Sequence, residues 1–284
     1  MKFSIKFLVK LLPIFLLLTV SCKSEFEKIR SSGNSKTILA KADDYYDKKD
    51  FDKAQTLYEL VMNSLRGTAD AERVFYRYAY THYNSDKFTL ASYYFKNFAS
   101  TFPNSQYREE ADYMSAYSNF KLSPSFRLDQ GATNKAIDEF QTFVNTYPSS
   151  ERVKEANKMI DVLRNKLELK AYNEGEIYFN IREYQSAVQV FENLLKDFPE
   201  TGNADQLHYM IIQSKYKLAS NSVLEKQEER FKDTAMSAEE FVTKYEKGSK
   251  FKKEVQTILK ETKKKIKEIE HDSRYQNQSA GTGS

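Results

Sequence analysis

The residue types that most often carry catalysis are sparse in this chain, and their spacing keeps them apart. The three histidines, His82, His208 and His271, are far apart in sequence. No HExxH, GxSxG or glycine-rich phosphate loop accompanies them, and His82 reads as a satisfied core histidine. Cys22 is the single cysteine, which excludes an internal disulfide and a multi-cysteine zinc site. The many Asp and Glu residues alternate with Lys at helical spacing, as in AIDEF and VKEANK, the pattern of solvated helix faces. Neither an enzyme nor a metal site is expected. What the chain has in quantity is aromatic surface, with 20 Tyr and 20 Phe but no Trp. Tyrosine offers a large contact area at low entropy cost and keeps a hydroxyl for the backbone of a partner. The chemistry on offer is therefore recognition.

The elements that must position these rings announce themselves by a repeat. In Phe88–Ser105, Ala91 is followed by Phe95, Phe98 and Pro103. The same cadence returns as Ala136, Phe140, Phe143 and Pro148, and as Ala187, Phe191, Leu194 and Pro199, while Ala54 and Tyr58 form an earlier copy without the proline. A small residue lets two helices approach, an aromatic one turn on fills the space between them, and proline ends the helix. Counting back twelve residues from Ala54, Ala91 and Ala187 lands on Ala42, Ala79 and Gly175, all small. The pattern predicts helical hairpins. Their second helices are expected at Phe51 to Leu65, Phe88 to Thr101, up to Pro148, Tyr184 to Asp197, and from about Gln227. Glu151 to Ile181, with no proline and only Gly175, is expected as one long helix or two nearly continuous ones. The longer connection around Ser123 to Gly131 is a candidate contact loop.

This period resembles the tetratricopeptide repeat. The resemblance implies an all-α fold: a right-handed superhelical solenoid of about five tetratricopeptide-like hairpins with a C-terminal capping helix. In such arrays the first helix of each hairpin lines the concave surface. With the small residue numbered as the eighth position, the fifth, ninth and twelfth are Tyr76, Tyr80 and Tyr83 in hairpin two, and Tyr113, Tyr117 and Phe120 in hairpin three. The twelfth position in hairpin one is Tyr46. These residues are expected to form an aromatic ladder facing a peptide partner, with Arg73 at its edge able to meet a carboxylate.

The chain ends read differently. Lys2, Lys6 and Lys10 precede the apolar run Leu11 to Val20, which is too short to span a bilayer and reads as an export signal. Thr19, Val20, Ser21 and Cys22 resemble a bacterial lipobox, with Thr19 a departure from the usual leucine. Residues 1–21 are thus expected as a signal peptide, 22–36 as a lipidated tether, 37–148 as repeats one to three, 149–271 as repeats four and five with the cap, and 272–284 as a disordered tail. Of the 44 basic residues three lie in the signal, leaving 41 against 40 acidic ones, a balance that argues against a nucleic-acid partner. In the cap, Phe251, Val255, Ile258, Leu259, Ile266 and Ile269 are expected to face inward. Lys260, Lys263, Lys264, Lys265 and Lys267 are candidates for anionic headgroups, a reading weakened by the intervening Glu261, Glu268 and Glu270.

The phrases ASYYFKNFASTFPNS, AIDEFQTFVNTYPSS and YQSAVQVFENLLKDFP, with SEFEKI just after the cysteine, are similar to the BamD family of outer-membrane assembly lipoproteins over roughly residues 22 to 270. The resemblance implies a non-enzymatic lipoprotein anchored in the outer membrane on its periplasmic face. It implies binding to the POTRA region of the barrel insertase BamA and to other assembly-machinery subunits, and receipt of unfolded outer-membrane proteins. No cofactor is implied beyond the lipid on Cys22. The alternative is another exported repeat scaffold coordinating envelope synthesis or division.

Overall fold

A computed structural model describes the backbone of residues 24–281 and side chains through residue 272; the expected signal peptide and Cys22 lie outside the described residues. The chain is all-α. In order, the helices are α1 (Glu25–Arg30), α2 (Ser35–Asp47), α3 (Phe51–Met62), α4 (Asp70–Asn84), α5 (Phe88–Thr101), α6 (Arg108–Leu122), α7 (Gly131–Thr146), α8 (Val153–Asn180), α9 (Tyr184–Asp197), α10 (Ala204–Ser220), α11 (Leu224–Lys244) and α12 (Lys252–Gly281). Neighbours in sequence pack on one another, α2 on α3, α4 on α5, α6 on α7, α10 on α11, so the hairpin is the building unit.

The cadence explains why. Ala42, Ala54, Ala79, Ala91, Ala116, Ala136 and Ala187 are fully buried, as are Tyr58, Phe95, Phe98, Phe140 and Phe191. Three helices stop at the same signal: Phe102, Tyr147 and Phe198, each preceding a proline, leave helical geometry with φ of −120°, −124° and −129°. The turns inside the hairpins share a second device. Lys49, Asp86 and Arg182 adopt positive φ of 62°, 56° and 67°. The next N–H reaches back to the carbonyl of Tyr45, His82 or Tyr178 at 2.9 Å, which closes the last helical turn without glycine. Hairpin three, with its longer connection, is built differently.

Contacts divide the chain into two units. One contains the chain up to Pro124 together with Gln130–Leu163; the other contains Ser125–Asp129 and everything from Arg164 on. The boundary falls inside α8, which is one continuous helix. Its start places Ala156, Ile160 and Leu163 in the first unit's core. Its end places Ala171, Tyr172 and Phe179 beside Phe191 and Leu194 in the second. The connection Ser125–Asp129 lies on α8 in the second unit, where Lys170 Nζ donates to the carbonyls of Phe126 and Leu128 at 3.4 and 3.1 Å.

Gly175 shows the crossing rule at its tightest. A Cβ built there would lie 2.5 Å from Phe191 Cε1, a ring with no exposed surface. Overpacking of this kind costs about 1–3 kcal/mol, offset in part by the roughly 1 kcal/mol that alanine gains over glycine within a helix. Gly175→Ala is therefore expected to lower stability by about 1 kcal/mol, measured by urea denaturation. An increase in stability would show that the crossing has room to spare.

Helices reach into both expected end segments. The segment read as a tether contains α1, capped by the Ser24 side chain, which accepts from the Glu27 N–H. Ile29 of α1 is buried and Phe26 packs edge-on to Tyr45 at 5.9 Å, so these residues belong to the first hairpin's core. At the other end α12 continues to Gly281, where a disordered tail was expected from residue 272. That stretch contains no proline, and extending an existing helix costs far less than starting one. The inward side of α12 puts Val255 in a core with Ile212, Ala238 and Phe241, against which Phe251, Ile258 and Leu259 pack.

Candidate functional site

The first unit holds most of the expected aromatic ladder. On α4, Tyr76, Tyr80 and Tyr83 are spaced four and three apart and so share a face. On α6, Tyr117 and Phe120 do the same. Ring centroids run continuously, from Tyr76 to Tyr80 at 5.0 Å, Tyr80 to Tyr83 at 6.4 Å, Tyr83 to Tyr117 at 6.3 Å, and Tyr117 to Phe120, stacked, at 5.6 Å. All five rings are partly exposed.

Their positions are set from beneath by the second helix of each hairpin. Tyr80 stands edge-on against the buried Phe95 at 4.9 Å, and Tyr83 edge-on against Phe88 at 5.6 Å. Tyr76 packs on Phe98 at 5.4 Å and stacks on Tyr107 at 4.5 Å. The cadence residues thus support the rings as well as hold the hairpin closed.

Two of the expected site residues, Tyr113 and Arg73, are placed differently. Tyr113 is only 2% exposed, packed against Phe140 and Phe143, and belongs to the core. It stacks under Tyr117 at 5.9 Å, so it is a support for the face rather than part of it. Tyr46 is half-buried and packs against the first hairpin's core on Phe51 and Tyr58, with the Arg77 guanidinium 4.7 Å over its ring. Arg73 already has its carboxylates: Asp43 at 2.6 Å and Asp70 at 3.0 Å. Asp43 also accepts from Arg77 at 3.0 Å and from the Tyr58 hydroxyl at 2.7 Å, so this network joins hairpins one and two.

Two residues that sequence reasoning missed give the face its polar end. Glu110 Oε1 accepts from the Tyr80 hydroxyl at 2.6 Å and pairs with Arg152 at 3.2 Å; Arg152 lies 4.5 Å over the Tyr113 ring. Glu110 stands seven residues before Tyr117 and so shares its side of α6. That spacing was readable, but a charged residue on a helix surface carries no mark that separates it from its neighbours. Burial raises the phenols of Tyr76, Tyr80 and Tyr83 above their ordinary value, and for Tyr80 the bond to Glu110 adds to it. The rings therefore stay neutral, and the face offers stacking, apolar contact and hydrogen bonding from phenols, with one ion pair at its edge.

The histidines do not converge. His82 is fully buried between Tyr94, stacked at 4.8 Å, and Tyr78, edge-on at 4.8 Å. Both its nitrogens lack a hydrogen-bond partner among the described residues, so it is a core residue but not a satisfied one. His208 Nε2 lies 3.2 Å from Lys244 Nζ, and His271 is exposed beside Asp272. Among the described residues no group of three His, Cys, Asp or Glu side chains is arranged to hold a metal ion.

Residues 32–230 match the family model YfiO, described as an outer membrane lipoprotein. The chain belongs to this family. The match covers every helix of the aromatic face and ends within α11. A curated relative, the outer membrane protein assembly factor BamD of Caulobacter vibrioides, is 22% identical over 142 residues, which are 50% of this chain and 47% of the relative. The chain thus spans about half the length of the curated relative it matches. Among solved structures, the TPR2AB domain in the pHSP90 complex of yeast Sti1 aligns with a TM-score of 0.37 at 12% identity, over 81% of this chain and 98% of that one. The apo form of RapI aligns with a TM-score of 0.29 at 14% identity, over 86% and 87%. No helix among the described residues of this YfiO-family chain is long and apolar enough to cross a membrane.

Proposed function

We propose that this chain is a non-enzymatic scaffold of the outer-membrane β-barrel assembly machinery, held on the periplasmic side of the outer membrane by a lipid on Cys22. In this reading the aromatic face of α4 and α6 receives extended segments of unfolded outer-membrane proteins. Hairpins four and five meet the POTRA region of the barrel insertase BamA and other subunits. Family membership and the assembly-factor relative support the general role.

The observation that carries the substrate reading is the run Tyr83, Tyr117 and Phe120. Partly exposed rings in mutual contact stand against the half-buried Phe88 and the buried Tyr113. Such rings are pre-ordered, so a flexible peptide gains contact area without the protein losing much side-chain freedom. Tyr83→Ala with Tyr117→Ala is expected to weaken binding of a peptide from the C-terminus of an outer-membrane protein by about 10- to 100-fold, the range for losing central aromatic anchors. Circular dichroism checks that the fold is kept. Unchanged affinity in a folded double variant would remove the face from the reading. For the docking half, affinity purification of the lipidated protein from membranes is expected to bring the barrel insertase with it.

A further inference from the structure

The lysines of α12 are sorted by face in a way that their number alone conceals. Lys253, Lys260 and Lys267 recur every seven residues, which stacks them along one side of the helix over about 21 Å. Glu254, Glu261 and Glu268 also recur every seven residues, one position on, so they line a second side about 100° away. Glu261 and Glu268, interspersed with the lysines in sequence, are therefore turned aside, while Glu270 lies 3.7 Å from Lys232 of α11. Glu261 accepts from the Tyr216 hydroxyl of α10 at 3.0 Å, and Glu268 is held by Lys265 at 3.0 Å.

On the basic side, Lys260, Lys263, Lys264 and Lys267 rim a groove of about 620 Å³ whose apolar floor includes Val242 of α11 and Leu259. One acid reaches in, Glu239, paired with Lys263 at 2.6 Å, while Lys264 is 3.7 Å from Glu268. Lys253, Lys260 and Lys267 are exposed and make no ion pair among the described residues.

We propose that this stripe and groove dock on the phosphate headgroups of an anionic bilayer. Charge complementarity points to a polyanionic partner, and the composition of the stripe separates a bilayer from a protein. Among the described side chains its charges are all lysine, compact point charges on flexible stems, without the aromatic and arginine anchors that concentrate energy in protein interfaces. A row of mobile cations over a shallow apolar floor matches a surface of interchangeable phosphates above acyl chains. The family's description as an outer membrane lipoprotein puts such a surface within its surroundings. This contact is independent of the peptide face on α4 and α6.

The test uses the chain from Lys23 on, without the lipid, which contains every residue of the described fold. It is sedimented at low salt with vesicles of phosphatidylcholine, alone or with about one-third phosphatidylglycerol. The wild type is expected to bind only the anionic vesicles. Near an anionic surface each lysine contributes roughly fivefold in affinity, so Lys253→Gln with Lys260→Gln and Lys267→Gln is expected to lose about 100-fold. Removing three exposed lysines elsewhere, Lys135→Gln with Lys158→Gln and Lys196→Gln, is expected to leave binding within a few-fold. The proposal is overturned by equal binding to both vesicle types, by equal losses in the two triple variants, or by an unaffected stripe variant. Displacement by millimolar inorganic phosphate would mark a free-anion site and equally overturn it.

Discussion

Replacing Phe95 by alanine is expected to lower the unfolding free energy of the unit that contains it by about 3–5 kcal/mol. Phe95 has no exposed surface and is the aromatic of the best-formed cadence, set on α5 in one core with residues of α4 and α6. Its ring is also the support against which Tyr80 stands edge-on at 4.9 Å. The substitution removes the buried ring and leaves a void that the neighbouring alanine crossings, already in close contact, cannot fill. Two effects should appear together: a lower urea midpoint for the first unit, and weaker peptide binding at temperatures where the variant is still folded. Tyr93, two residues earlier and 61% exposed, is the internal control. Its replacement by alanine should change stability by no more than about 0.5 kcal/mol. A Phe95→Ala cost below that of an exposed site would mean that the cadence is not the core.

His82 should make the protein less stable in mild acid. Burial, with a smaller contribution from Lys87, lowers its pKa from 6.5 to about 4, because desolvation penalises the charged ring. Between those two values the unfolded chain binds a proton that the folded chain refuses. The stability His82 permits is complete above pH 6.5 and falls as the pH drops toward 4. A gap of this size corresponds to about 2–3 kcal/mol by pH 4.5. Other groups titrate there too, so the measurement is a comparison. Urea denaturation at pH 7.5 and 4.5 should show that His82→Phe loses about 2–3 kcal/mol less than the wild type. The phenylalanine also removes two buried nitrogens that have no partner, so the variant should be at least as stable at pH 7.5. Equal acid losses in both proteins would show that His82 is protonated in the fold.

Much of the architecture was legible because its signals are local. Alanine at a crossing, an aromatic one turn later and a proline after the helix act within a dozen residues, and Phe88–Thr101 and Tyr184–Asp197 begin and end where that spacing puts them. The same phase picked out Tyr76, Tyr80, Tyr83, Tyr117 and Phe120 as rings on one side of their helices. It could not decide how deeply each is covered. Tyr76 and Tyr113 occupy equivalent positions in their repeats, yet the first is partly exposed and the second lies under Phe140, Phe143 and the Arg152 guanidinium.

By itself the amino-acid sequence determined the hairpin, the small residues at its crossings, its proline stops, and the face of each helix on which the tyrosines stand. Only the tertiary structure decided which rings remain available. It also decided that Arg73 is committed to Asp43, that Glu110 and Arg152 close the end of the aromatic face, and that lysines of α12 rim a groove. Periodicity is a property of one helix and can be read along the chain. Exposure and charge pairing depend on residues 30 and 42 positions away, as with Asp43 for Arg73 and Arg152 for Glu110, and only packing brings these together.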